Sequence, residues 1–487
     1  MAHTKLPRRF SALDAIFIDI ESPVAPMHIG SVCIYDGRIS LARFVKHVAS
    51  RLHLLPRYRQ VMVPTPLHLG YPTWRADPDF DIFRHIFEVT APAQCTVSQL
   101  SALSGRILGK MLDRDKPLWE LYLVNGLEGG RSAIISKVHH CLADGITGVE
   151  LGAVMHDHRR KPIDVPVTDN RPRRNDVSAR PILDALWDTA VEEVTRWTEA
   201  KQGAAKFLES LSFDTTLTTW KEVLGVVRTF SLPIDRMPFN AHRLSGRKRL
   251  AWCEHSFAEV RAVRAALGGT VNDVMLTVVG LAVRRYLKAH GVRPDRKTLR
   301  VMVPVSLRHE HERGQMGNRV SMLPVQIPLG IDDPIELFER VHAHTTRLKE
   351  IHIAHALHGA LRAIQAGPML QSAVGRLTRM PAVSTLLTTF SGFPAINTVV
   401  TNVPGPQIPL YLLGRRMTAY YPYLPVAPEV SVTFGILTYN QTLAVSVIAD
   451  AAAMPDIARM RRHLETAYGA LRTAAGVPER PHVPVHL

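Results

Sequence analysis

The sequence predicts an α/β protein with mixed sheets, and three observations carry that expectation. Short apolar runs of strand length, such as Ile29-Gly-Ser-Val-Cys-Ile34 and Ser132-Ala-Ile-Ile-Ser-Lys-Val138, alternate with stretches of helical period. Helix-start signals recur at Thr96-Val-Ser-Gln99, Ser256-Phe-Ala-Glu259 and Thr270-Val-Asn-Asp273. Between two such α/β halves, residues 159–180 are rich in Pro, Arg and Asp with almost no apolar periodicity, as a linker would be. The expected organisation is an N-terminal lobe over 1–158, a linker with connecting helices over 159–245, and a second lobe over 246–487.

In the first lobe the strand at Ile29 is followed by a helix from Ser40, its expected cap, to Leu52, and by a helix opened by the Thr96 capping box and running to Met111. Residues 55–59 and 74–85 are loop-rich and aromatic, suited equally to a cleft wall or a surface. The run from Ser132 to Val138 is a strand, and Thr147 to Met155 reads as a helix. Beyond the linker, Leu183, Leu186, Ala190, Val194 and Trp197 fall on one face of a connecting helix. The second lobe opens with a helix from Ser256 closed at Gly268-Gly269, then a helix from Thr270. A strand over Leu299 to Val305, a strand over Ile396 to Val400, a stiff loop from Thr401 to Pro406, a hairpin turning at Asn440-Gln441 and an amphipathic helix from Pro455 to Ala474 complete it.

The chain has 487 residues, of which 46% are hydrophobic and 21% charged, enough for two lobes with real cores. Its formal charge of +16 favours an anionic partner: a phospholipid surface or the phosphates of coenzyme A. No nucleic-acid motif accompanies the charge, and the basic residues are dispersed, so nucleic acid is set aside. Four scattered cysteines give no disulfide framework and point to a reducing compartment. No signal peptide is recognised, and no apolar run reaches the ~20 residues of a spanning helix. If the protein meets a membrane, it lies on it. Residues 351–428 contain no Asp or Glu, and within them 368–393 mix apolar residues with arginine. That composition suits a lipid interface or burial between lobes.

The chemistry concentrates in His139-His140-Cys141-Leu142-Ala143-Asp144-Gly145, at the turn between the strand ending near Val138 and the helix after Thr147. An imidazole accepts a proton at neutral pH and returns it later, so His140 fits a general base. His139 faces the other way if the strand continues, Asp144 can brace the loop by pairing with a cation, and Gly145 lets the backbone pass close to a bulky group. A metal site is disfavoured, because adjacent histidines on a strand diverge and no third ligand follows at a recognisable spacing. The plainer alternative is two histidines at a strand end.

His139 to Gly145 resembles the HHxxxDG motif of the CoA-dependent acyltransferase superfamily. Further matches narrow the resemblance: Leu13-Asp14, Met27-His-Ile-Gly30, Pro117-Leu118-Trp119-Glu120, Asn272-Asp273, Val303-Pro-Val-Ser-Leu-Arg308 and Thr401-Asn-Val-Pro-Gly-Pro406. Together they resemble the bacterial wax ester synthase/acyl-CoA:diacylglycerol acyltransferase family over nearly the whole chain. The resemblance implies two chloramphenicol-acetyltransferase-like lobes with the active site in a channel between them. It implies transfer of a long-chain acyl group from acyl-CoA to diacylglycerol, or to a long-chain alcohol, with no cofactor beyond acyl-CoA as substrate and no covalent acyl-enzyme. It also implies a cytoplasmic protein, peripheral on the inner face of the plasma membrane or on lipid bodies.

The same resemblance nominates substrate contacts at Pro117, Leu118, Trp119, Asn272, Asp273, Ser306, Thr401 and Asn402, with Ser306, Thr401 and Asn402 also candidates for the oxyanion donors. It nominates Arg308 as the partner of Asp144. Each has a plainer reading. Trp119 beside a proline packs well in a core, and Thr270, Asn272 and Asp273 are good helix-start residues. Cys141 beside His140 could be a nucleophile, but alternation on a strand turns the two apart. A lipid-surface protein carrying a vestigial motif is the non-enzyme alternative.

Overall fold

The computed structural model describes residues 9–65, 71–142, 152, 154–162, 165, 191, 234–306, 320–350 and 396–479. In chain order the elements are α1 (Ala12–Ile20), β1 (His28–Tyr35), α2 (Leu41–Arg51), β2 (Gln60–Val63), β3 (Thr73–Ala76), β4 (Ile86–Cys95), α3 (Val97–Leu108), β5 (Trp119–Leu127) and β6 (Arg131–His139). They continue with β7 (Lys248–Ser256), α4 (Phe257–Leu267), α5 (Val271–Ala289), β8 (Thr298–Ser306), β9 (Val320–Pro328), α6 (Pro334–Glu350) and β10 (Thr398–Pro404). The last are β11 (Tyr411–Leu412), β12 (Arg415–Tyr423), β13 (Val432–Tyr439), β14 (Thr442–Asp450) and α7 (Ile457–Ala474).

The helix starts follow their chemistry. Thr96 with Gln99, and Thr270 with Asp273, each form a reciprocal capping box. The Ser256 signal is only half made: its hydroxyl accepts the Glu259 amide, while the Glu259 carboxylate is drawn away to the Tyr468 hydroxyl, 3.1 Å distant. Gly268 ends α4 in the left-handed region, φ 75°. Ser40 is the N-cap of α2 by position, without a side-chain hydrogen bond.

Two six-stranded mixed sheets result, ordered β11-β12-β1-β6-β5-β4 and β7-β14-β13-β10-β8-β9. The first corrects the expected boundaries. β12 comes from the C-terminal stretch yet pairs antiparallel with β1, Gly30 opposite Tyr423, so residues 1–158 do not complete the first sheet alone. The expected loop from Thr401 is also strand: Thr401 to Pro404 continue β10 parallel to β13, because Pro404 falls at the last strand position, where a missing N–H costs little. Expected elements at 159–180, 183–197 and 368–393 lie outside the described residues, apart from positions 159–162, 165 and 191.

Alternation decides which face does what. On β1, Cys33 and Tyr35 pack with α2 in one core, whereas Val32 and Ile34 pack with Leu250, Trp252, Ala444 and Ile448 of the second sheet. Trp252 and Tyr421 stack across this junction at 4.4 Å, and the Tyr421 hydroxyl donates to Glu254. The second sheet's far face buries α5 on nearly every side. Among the described residues no single helix is long and apolar enough to cross a membrane; α4 and α5 together have the composition but meet at a 96° bend.

Helix α3 touches β7 backbone at Gly105, where an added Cβ would stand 2.4 Å from the Lys248 carbonyl oxygen. Gly105→Ala should therefore lower stability by about 1–3 kcal/mol, as overpacking does. Gly469→Ala in α7, with open space around it, should raise stability by about 0.5–1 kcal/mol through helix propensity. Urea midpoints moving in opposite directions check the pair.

Candidate active site

β6 delivers the paired histidines to the end of the first sheet. Its last residue, His139, lies opposite His28 of β1, and its amide donates to the Leu118 carbonyl at 2.9 Å. The His140 amide donates to the Met27 carbonyl, and a turn closes with Leu142 N–H on the His139 carbonyl. By alternation His139 shares the inter-sheet face with Lys137 and Ile135.

The His139 ring is almost wholly buried and held on both sides. Its Nδ1 accepts the Cys141 amide at 3.2 Å and lies 2.9 Å from the Cys141 sulfur, so Nδ1 carries no proton and the thiol donates to it. The proton is on Nε2, which faces Glu21 Oε1 at 3.4 Å. Glu21 also accepts the Met27 amide at 2.9 Å and is 2.8 Å from Arg114, which in turn donates to the Ile18 carbonyl. Burial alone would raise the Glu21 carboxyl; the contacts from His139, Arg114 and the Met27 amide overcome it and hold the group at about 2. His139 is thus an orienting residue. His28 beside it bonds the Leu108 carbonyl, and burial holds it well below the usual histidine range, so it adds no positive charge there.

His140 is in a different environment. Its ring is half-buried and stacks on Phe17 of α1, centroids 3.7 Å apart and planes 15° apart. Burial first, and the neighbouring His139 second, push its pKa down to about 4, with its own backbone carbonyl opposing them. Its Nδ1 is buried without a side-chain partner. The ring is therefore neutral at physiological pH, the form that accepts a proton. Cys141 turns away from it toward His139, and burial, then the charges of Asp14 and Glu21, push its thiol well above the ordinary range. A thiol in that state is a poor nucleophile.

Pro117, Leu118 and Trp119, expected as substrate contacts, are all buried. Trp119 donates its indole N–H to the Tyr58 carbonyl at 2.7 Å and stacks on His85 at 4.4 Å. The segment anchors the end of β6 through the Leu118 carbonyl. Asp273 is likewise committed: Thr270, His342 and Thr345 hold its two oxygens at 2.7–3.0 Å, tying α5 to α6. Asp273 is thus a structural tie between the two helices. Asn272 differs, since its Oδ1 is buried with no partner among the described residues.

Thr401 and Asn402 are half-buried neighbours on β10, opposite Gly435 and Ile436, so their side chains face opposite sides of the sheet. Ser306 ends β8 opposite Val320. Asp144, Gly145 and Arg308, and with them the proposed Asp144 to Arg308 pair, lie outside the described residues. The structure therefore brings together His139, His140 and the Pro117-Leu118-Trp119 segment. It adds Glu21, Arg114 and Phe17, and turns Cys141 of the motif toward His139. Glu21 and Arg114 stand far from the motif in sequence, and neither spacing nor composition links them to it.

Asp273→Ala should lower stability by roughly 2–4 kcal/mol, from a lost cap and lost buried hydrogen bonds. Measured on the protein that remains folded, it should leave the Michaelis constants unchanged, which loss of a substrate contact would not.

Residues 10–275 match the wax ester synthase/diacylglycerol acyltransferase catalytic domain, and residues 316–472 match the C-terminal domain of the same family. Among relatives, a Mycobacterium tuberculosis strain H37Rv protein named "Probable diacyglycerol O-acyltransferase tgs1" is 28% identical over 475 residues, covering 95% of each chain. Among solved structures, the wax ester synthase/diacylglycerol acyltransferase from Marinobacter aquaeolei VT8 superposes with a TM-score of 0.67 at 21% identity, covering 97% of this chain and 100% of that one. A starter condensation domain of the rhizomide synthetase RzmA, solved with C8-CoA and Leu-SNAC, gives a TM-score of 0.51 at 14% identity, covering 98% and 95%. Both superpositions support the two-lobed fold. Matched through both of its domain models, the chain belongs to the wax ester synthase/diacylglycerol acyltransferase family of acyltransferases.

Proposed function

We propose that the protein moves a long-chain acyl group from acyl-CoA to diacylglycerol, yielding triacylglycerol, by direct transfer with His140 as general base. The observation that carries this reading is the neutral, half-buried His140 ring beside a His139 already committed to Glu21 and Cys141. The acceptor hydroxyl oxygen attacks the thioester carbonyl carbon while His140 takes its proton. The tetrahedral intermediate collapses, the carbon–sulfur bond breaks, and the imidazolium returns the proton to the departing CoA sulfur. No acyl group resides on the protein, in keeping with the protonated Cys141 thiol. A long-chain alcohol, giving a wax ester, is the second acceptor, because the family model carries both activities in its name. The charge of +16 supports a peripheral position on an anionic membrane or lipid-body surface facing the cytoplasm.

The test is transfer from radiolabelled palmitoyl-CoA to dioleoylglycerol and to hexadecanol in separate reactions. Labelled triacylglycerol that disappears in a folded His140→Ala variant is the expected result; wax ester alone would reassign the acceptor, and undiminished turnover in the variant would remove His140 from its role. In the same assay Cys141→Ala should keep activity within about threefold. Glu21→Gln should lower kcat by about 10²-fold or more through loss of a charged orienting partner.

A further inference from the structure

At the end of the first sheet away from His139, three arginines surround one open basin of about 400 Å³. Arg38 follows the turn leaving β1, Arg43 stands in the first turn of α2, and Arg415 begins β12. Register fixes the separation: His28 of β1 is opposite His139, whereas Tyr35 is opposite Ser132. Seven residues of strand at ~3.3 Å each put the basin roughly 20 Å from the histidines, so it is not part of the catalytic site.

The three guanidinium groups are exposed and have no carboxylate partner among the described residues. Asp36, just past the end of β1, is occupied by the Arg416 amide and guanidinium and by Arg160 at 3.6 Å. Arg415 is held across the basin's edge by backbone shape. Leu413 and Gly414 both take positive φ, 51° and 80°, to turn β11 into β12, and Gly37 at φ 94° leaves room for the Arg415 head, which stands 2.8 Å from where a Cβ would be. Helix α2 starts at the wall of the basin with its N-cap Ser40 making no side-chain cap hydrogen bond and with no acid in its first turn, so the helix itself supplies no charge to offset the arginines. Leu413, half-buried, adds an apolar shoulder.

We propose that this basin docks the phosphate headgroup of an anionic phospholipid and so seats the protein on a negatively charged bilayer. Three unneutralised guanidiniums around a concavity suit a phosphate with its forked acceptors, and the apolar shoulder suits a headgroup still attached to acyl chains. The inference rests on the peripheral membrane position proposed above and names the surface responsible.

The test is co-sedimentation of the full-length protein with phosphatidylcholine vesicles, with and without phosphatidylglycerol. The triple variant Arg38→Gln, Arg43→Gln, Arg415→Gln is compared with a charge-matched control, Arg247→Gln, Arg249→Gln, Arg264→Gln. Wild type should prefer the anionic vesicles. The basin variant should lose roughly a hundredfold of that affinity, as three cations near an anionic surface would, and the control should stay within about threefold of wild type. Equal losses in the two variants, or no loss in the basin variant, would overturn the proposal. Thermal stabilisation by inorganic phosphate that the basin variant lacks, without any vesicle preference, would also overturn it in favour of a soluble anion. Acyl transfer with detergent-dispersed substrates keeps the two readings apart: the basin variant should retain it, and its absence from wild type would refute the proposed chemistry while leaving the vesicle result to stand.

Discussion

The Glu21 carboxylate is the contact on which the site depends. One buried acid joins the end of α1, the strand entry at Met27, Arg114 and the His139 ring. A buried charge is tolerated only when it is paired and hydrogen-bonded, so each partner is constrained by the same group. With its pKa held at about 2, below the 4.5 of a free glutamate, its stabilising effect is complete above pH 4.5 and is lost as pH falls through about 2. Across physiological pH the tie stays intact.

That tie leaves the two histidines with opposite roles. His139 accepts the Cys141 amide at Nδ1 and sets Nε2 3.4 Å from Glu21, whereas His140 gives its face to Phe17 and is kept neutral by burial. Beneath them, Glu120 lies between Lys116 and Lys137, and the Tyr122 hydroxyl donates to it, so the strand that carries the motif rests on a paired ionic layer. Strand β12 extends the same sheet from far along the chain, and Tyr421 on it locks the two lobes through Trp252 and Glu254.

Much of this was legible in the sequence, for reasons that differ by element. Caps at Thr96 and Thr270 are local chemistry within four residues and appear as read. The hairpin at Asn440-Gln441 is local too, both residues taking positive φ. The crossing of β12 into the first sheet is a long-range pairing that no local pattern encodes. Trp119 and Asp273 were open between packing and substrate contact because sequence shows residue type but not who holds the polar atoms; Tyr58, His342 and Thr345 hold them. Glu21 is silent in the sequence for the same reason, since a buried acid is recognisable only from its partners.

The most direct test of the account is the protonation of the His140 ring, followed by ¹⁵N-histidine NMR of the intact protein with His140→Gln to assign the signal, alongside the pH dependence of kcat/KM. The ring should stay neutral as pH falls from 8 to 5 and gain its proton near about 4, with kcat/KM falling on the same acid limb. A ring that titrates near its ordinary 6.5 in the folded protein, or a rate that does not follow its titration, would contradict the claim that burial keeps His140 ready as the base.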